Sequence, residues 1–141
     1  MRRPLSAPPI ILLASLLWAC GSPPESLPGD EGEPPPESGP GLVVIRMLDN
    51  MTFDPANPVI AAGDTVVWVN AGQLPHTATA DPARTRDPSR VALPEGAAGW
   101  DSGALGAGEE FRQIFNIPGR YAYVCSLHEM MGMVGTLEVE P

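Results

Sequence analysis

From residue 42 onward, short apolar runs alternate with Pro/Gly turns, and the runs carry the period of a strand. Leu42 to Leu48 (LVVIRML) is β-branched and apolar. Thr65 to Asn70 (TVVWVN) follows the turn signal Ala62-Gly63-Asp64. Phe111 to Ile117 (FRQIFNI) sets Phe111, Phe115 and Ile117 on one face and Arg112 and Asn116 on the other, with Gln113 and Ile114 out of phase. Pro118-Gly119 turns the chain, after which Tyr121, Tyr123 and Cys125 share a face and Arg120 and Ala122 point away. In Thr136 to Glu140, Leu137 and Val139 point inward and Thr136, Glu138 and Glu140 outward. Period-two patterning in short segments with Pro/Gly turns predicts an all-β, antiparallel sandwich. No window of helical period stands out, and there is no internal repeat.

The first 41 residues follow different patterns. Met1-Arg2-Arg3 is a short basic start, and Ile10 to Ala19 (IILLASLLWA) is an apolar run. The run is too short to span a hydrocarbon core about 30 Å thick, and it suits the apolar part of a secretion signal. It ends in Leu17-Trp18-Ala19-Cys20 before Gly21, which resembles the lipobox of bacterial lipoproteins. That resemblance implies a signal peptide over residues 1–19 and acylation of Cys20, and two or more acyl chains would anchor the protein stably. Residues 21–41 are rich in Pro, Gly, Ser and Glu and nearly free of apolar side chains, a composition that cannot offset its chain entropy. With Cys20 they read as a disordered tether over residues 20–41, with a reach on the order of 60 Å where it is polyproline-like. Residues 42–141 remain for one small domain with a single core.

Charge and cysteine usage narrow the choice of function. The formal net charge is −9, and all eight basic residues are Arg, two of them within the signal. So few cations exclude a nucleic-acid partner. Cys20 and Cys125 are the only cysteines. With Cys20 acylated, Cys125 is a lone thiol in an oxidising compartment, which calls for an explanation. Residues 81–99 (DPARTRDPSRVALPEGAAG) show no clear strand and carry Arg84, Arg86 and Arg90. Long loops in compact domains are uncommon and often functional. This one reads as a solvated surface loop, with a docking patch for an acidic partner as the rival reading.

The explanation for the thiol lies near the C-terminus. Cys125-Ser126-Leu127-His128-Glu129-Met130-Met131-Gly132-Met133 gathers a thiolate, an imidazole and thioethers on one loop between two predicted strands. The chain has two histidines, and the other, His76, stands in Leu74-Pro75-His76-Thr77 just after the Thr65 strand. Singly, each residue has an ordinary role: a hydrogen-bonded His, a small buried hydrophobe, a core-filling Met. Together they make the donor set of a blue-copper site, with two imidazoles and a thiolate in a plane and a long, weak thioether above. Cu(I) prefers soft sulfur and Cu(II) accepts imidazole nitrogen, so a rigid compromise geometry allows fast electron exchange with little rearrangement. A structural zinc site would have no reason to include Met.

These residues carry a family resemblance. From about Val43 to Val139 the chain resembles the plastocyanin/pseudoazurin family of small cupredoxins. The family's C-x2-H-x4-M loop is matched by Cys125, His128 and Met133, followed by Val134-Gly135. Its upstream Pro-His pair is matched by Pro75-His76, 49 residues before the Cys. Gly63-Asp64-Thr65-Val66 with Trp68 and Asn70, Asp101-Ser102-Gly103, Gly108-Glu109 and Pro118-Gly119-Arg120-Tyr121 also match. The resemblance implies a Greek-key β-sandwich of about eight strands with one copper ion at one end, bound by His76, Cys125, His128 and Met133. Met131 fits the shorter amicyanin spacing C-x2-H-x2-M and is the alternative axial ligand. Three positions depart from the pattern: Thr77 stands in place of Asn, Val124 in place of Tyr, and Leu127 in place of Pro.

The expected function is single-electron carriage by copper cycling between Cu(I) and Cu(II), with His128 as the electron port. Leu74, Pro75, Leu127, Met130 and Met131 would form an apolar exit patch for brief docking with redox partner proteins. The rival reading is copper binding for delivery, storage or sensing without electron shuttling. An enzyme such as an oxidase or nitrite-reducing domain needs further histidines for a second copper site, so no enzymatic activity is expected. The protein is expected to be an exported monomer, periplasmic or at the cell surface and lipid-anchored to a bacterial membrane.

Overall fold

The computed structural model describes residues 40–141. The signal segment, Cys20 and nearly all of the tether lie outside the described residues. The domain holds seven strands: β1 (Leu42–Leu48), β2 (Thr52–Asp54), β3 (Val59–Ala61), β4 (Thr65–Asn70), β5 (Glu110–Ile114), β6 (Gly119–Val124) and β7 (Val134–Glu140). They form a four-stranded sheet in the order β2-β1-β4-β5 and a three-stranded sheet in the order β3-β7-β6. Among the described residues there is no α-helix, only three single 3₁₀ turns.

The all-β sandwich stands as expected, with seven strands among the described residues against about eight expected, and with one correction: the sheets are mixed, β1 pairing parallel with β4 and β3 parallel with β7. Parallel neighbours need a crossover. Here β2 and β3 supply it, since they lie in different sheets and carry the chain across the sandwich before β4 returns beside β1. Neither short strand was visible in the sequence pattern. Each has three residues and buries one side chain, Phe53 or Ile60, and a single inward residue has no period.

The register of β5 clarifies the irregular segment at 111–117. Phe111 and Gln113 are half-buried and Phe115 is buried, so Gln113 is in phase with the inward face. Ile114 is the residue out of place, an apolar side chain 55% exposed on the outer face.

The core is built around Trp68 of β4, which is fully buried. Its ring centroid lies 5.4 Å from that of Tyr123, edge-on, and 5.8 Å from that of Trp100. Phe111 and Phe115 close the cluster, with centroids 5.9 and 6.1 Å from Trp68. Offset and edge-on contacts of this kind add to the burial of large apolar area. On the other sheet, Gly135 of β7 lies under the Tyr123 ring, where a Cβ would sit 2.4 Å from the ring carbon Cζ. The ring therefore packs directly on backbone, beside the start of the loop that ends β6.

Residues 81–99 are folded onto the domain and are not a free loop. Ala92 exchanges backbone hydrogen bonds with Ala122 of β6, at 3.2 and 2.8 Å. Asp81 and Asp87 each cap a 3₁₀ turn, accepting from the amides of Ala83 and Ser89. Arg84 pairs with Asp101 at 3.1 Å, and Arg90 pairs with Asp87 at 3.3 Å. Two of the three arginines thus meet carboxylates of their own chain, which weakens the case for a patch serving an acidic partner.

Candidate metal centre

The two sheets contribute one chain segment each to a single end of the sandwich. From the four-stranded sheet, β4 runs out through Asn70 into the segment that carries His76. From the other, β6 ends at Val124, and Cys125 opens the loop that returns through Met133 into β7. Backbone pairing of Thr79 with Val124, 2.9 Å in each direction, ties the segments together next to the site.

Side-chain polar groups hold the His76 segment. The buried amide of Asn70 donates to the carbonyls of Leu74 and Leu105, at 2.8 and 2.9 Å, and its oxygen accepts from Gly72 N–H at 2.9 Å. The Asp49 carboxylate accepts from the amides of Gln73 and Leu74, at 2.8 and 2.9 Å. Gly72 is required for this approach, because a Cβ there would lie 2.1 Å from Asp49 Oδ1. His76 itself exchanges backbone hydrogen bonds with Leu105, at 3.1 and 2.8 Å.

The second segment is a closed turn. Cys125 N–H donates to Met133 O at 3.0 Å, and His128 N–H donates to Cys125 O at 3.0 Å. Met131 N–H and Gly132 N–H donate to His128 O and Glu129 O, at 2.9 and 3.0 Å. Gly132 ends the 3₁₀ turn Glu129–Met131 at a φ of 83°, a left-handed conformation that suits glycine.

These frames bring three donors together. His76 and Cys125 are fully buried and His128 is half-buried. Cys125 Sγ lies 3.9 Å from His76 Nδ1 and 3.5 Å from His128 Nδ1, and the two imidazole rings are 5.0 Å apart. With bonds of about 2.0 Å to nitrogen and 2.3 Å to sulfur, a trigonal metal would hold N and S about 3.7 Å apart. The observed separations bracket that value, so the residues fit a metal ion. The thiol also accepts Thr77 N–H at 3.3 Å. Thr77 Oγ1 accepts from Ser126 N–H at 2.8 Å and contacts Thr79 Oγ1, which donates to Asp101 at 2.8 Å. Thr77, standing where Asn is usual, therefore still bridges the two segments, and Asp101 extends the bridge to Arg84 at the surface.

Burial dominates the protonation of His76. Its pKa is lowered, first by desolvation and then by the neighbouring His128, while Asp49 opposes the shift. Its Nε2 is buried without a hydrogen-bond partner, the nearest carboxylate oxygen being that of Asp49 at 3.9 Å. A neutral ring with Nδ1 free toward the thiol is the form in which imidazole ligates a metal.

The remaining sequence-assigned residues fall as follows. Met133 is fully buried at the close of the turn, whereas Met131 is 68% exposed on the 3₁₀ turn. Leu74, Leu127, Met130 and Met131 are 43, 49, 73 and 68% exposed, and Pro75 is exposed beside them in sequence. They flank the two histidines, whose rings are neighbours. Asp49, Thr79 and Glu129 were not singled out from sequence. Asp49 follows a strand as many turn aspartates do, and Glu129 looks like a solvated charge until the fold buries it.

A thiol between two imidazoles, at one end of a two-sheet sandwich, defines a mononuclear site for a soft metal. A family model described as copper binding proteins, plastocyanin/azurin family, matches residues 42–140. The chloroplastic plastocyanin of Tetradesmus obliquus is 32% identical over 90 residues, which are 64% of this chain and 59% of that protein. Among solved structures, pseudoazurin from Methylobacterium extorquens superposes with a TM-score of 0.57 at 27% identity, over 70% of this chain and 75% of the other. A Cu-containing nitrite reductase from Thermus scotoductus gives 0.57 at 28% identity, but the match covers 73% of this chain and only 23% of that one. The chain belongs to the plastocyanin/azurin family of copper-binding proteins, and its cofactor is copper.

The lowered pKa of His76 has a consequence for the metal-free protein. The unfolded chain protonates this ring near pH 6.5 and the folded chain only at lower pH. Stability from this group is therefore complete above pH 6.5 and is lost as pH falls below it. Thermal melts of metal-free protein between about pH 7.5 and 5.5 should show Tm falling with pH, with a shallower slope in His76→Gln. Equal slopes in the two proteins would contradict the assignment.

Proposed function

We propose that this protein carries single electrons on one copper ion, which His76 Nδ1, Cys125 Sγ, His128 Nδ1 and the Met133 thioether would hold. The observation that carries the reading is the buried Cys125 thiol with an imidazole Nδ1 on either side, in a chain with no further histidine. The bound copper would supply one-electron exchange between Cu(I) and Cu(II). The protein's own part is to hold the donors still. Cys125 would release its thiol proton to solvent on binding metal, and Thr77 N–H would remain to stabilise the sulfur charge. His76 is locked by its backbone pairing with Leu105, and the turn from Cys125 to Met133 closes on itself. The burial of Met133 and the exposure of Met131 support Met133 as the thioether ligand.

His128 is the one donor that is not fully buried, which suits it as the electron port. Leu74, Pro75, Leu127, Met130 and Met131 would present an apolar patch around it to redox partner proteins. Small, weak interfaces of this kind allow rapid turnover of partners. Burial of the donors argues against copper delivery, which needs donors a partner can reach. Both histidines are used at one site, so a histidine-based second copper centre cannot be built and an enzymatic role is not proposed. Export, with residues 1–19 as signal, Cys20 as lipid attachment and residues 20–41 as tether, would place a monomeric domain outside the cytoplasm on a membrane anchor. No helix among the described residues is long and apolar enough to cross a membrane.

Two substitutions test this reading. Met133→Gln should shift the visible and electron-spin-resonance spectra of the copper form, and Met131→Gln should leave both unchanged; the reverse result would move the axial assignment to Met131. Met130→Glu should slow electron exchange with a redox partner about tenfold, equivalent to about 1.4 kcal/mol, with the spectrum intact. Unchanged exchange kinetics would remove the patch from the docking surface.

A further inference from the structure

Glu129 follows the proposed ligand His128, yet its side chain points away from solvent and is 1% exposed. Its two carboxylate oxygens accept the backbone N–H groups of Arg86 and Asp87, at 2.8 and 2.9 Å. Its own carbonyl accepts from Arg90 Nη1 at 3.1 Å and from Gly132 N–H at 3.0 Å. Both the side chain and the backbone of this residue are therefore fixed. Burying a carboxylate is costly, and a residue needed only to fill space would be apolar. The charge-assisted bonds to two amides are what the site obtains in return.

The partner of this contact is the segment 81–99, which is itself anchored. Capped turns at Asp81 and Asp87, the backbone pairing of Ala92 with Ala122, and the Arg84–Asp101 ion pair fasten it to the sandwich. The turn from Cys125 to Met133 is thus held at its base by the Cys125–Met133 backbone bond and at its tip by Glu129. Without the carboxylate, the tip, where Met130 and Met131 are exposed, would keep only its local turn bonds and the Arg90 contact to the Glu129 carbonyl.

We propose that Glu129 is a positioning residue for the copper centre, clamping the ligand turn to segment 81–99 and so fixing His128 and Met133. The proposal rests on the copper assignment above for its consequence at the metal. The clamp itself is a property of the polypeptide and is readable without metal.

Glu129→Gln keeps the shape but sets an amide NH2 against a backbone N–H. In the metal-free variant, hydrogen exchange at the amides of Arg86, Asp87, Gly132 and Met133 should speed up roughly tenfold or more, with strand β4 unchanged. In the copper form, the electron-spin-resonance lines should broaden and copper should pass to a chelator roughly tenfold faster. Arg90→Gln, which alters an exposed side chain, should move the same readouts in the same direction by a smaller factor, and it serves if Glu129→Gln does not fold. Exchange rates, line widths and copper release equal to those of the unaltered protein would overturn the clamp. Faster exchange with an unaltered copper spectrum and release rate would overturn the positioning role. If the unaltered protein gave no thiolate-to-copper band, the copper-ligand assignment would fail, while the exchange measurement would still decide the clamp.

Discussion

The buried thiol of Cys125 sets the terms for the rest of this structure, because two imidazoles must be held against it without collapsing onto it. The three donors come from segments 49 residues apart in the chain and from different sheets of the sandwich. At 3.5 and 3.9 Å from the sulfur, both Nδ1 atoms are within reach of a shared metal. Burying the His76 imidazole costs solvation: desolvation disfavours its charged form, which lowers the pKa, and Nε2 is left without a partner. Hydrogen bonds and packing elsewhere in the domain hold the donors in place despite that cost.

Side chains that ligate nothing supply the rigidity. Asn70 and Asp49 fix the chain before His76, Thr77 joins the two ligand segments beside the sulfur, and Glu129 fastens the far turn. Each makes hydrogen bonds to backbone amides or carbonyls, so each constrains where a ligand's Cα lies. A metal that changes charge without moving its ligands needs such a frame. The aromatic cluster about Trp68 provides the stiff floor on which both segments rest.

Much of this was legible in the sequence, for a physical reason in each case. Strands β1, β6 and β7 bury residues at period two, β4 is a β-branched apolar run after a turn signal, and Cys125, His128 and Met133 lie within one short loop, so local spacing carries the signal. The parallel pairings of β1 with β4 and β3 with β7 were not legible, since they depend on how the chain crosses between sheets. Strands β2 and β3 bury one side chain each and leave no pattern. Gln113 is polar by composition yet sits on the inward face of β5. Glu129 illustrates the general limit: its burial depends on amides more than 40 residues away, and no local pattern marks a carboxylate destined for them.

The most direct test of the account is the visible and electron-spin-resonance spectrum of the protein loaded with Cu(II), beside Cys125→Ala treated in the same way. The account predicts an intense blue or green thiolate-to-copper band with narrow hyperfine splitting in the first and neither in the second. A pale protein with an ordinary Cu(II) spectrum, or a band that survives loss of the thiol, would contradict it.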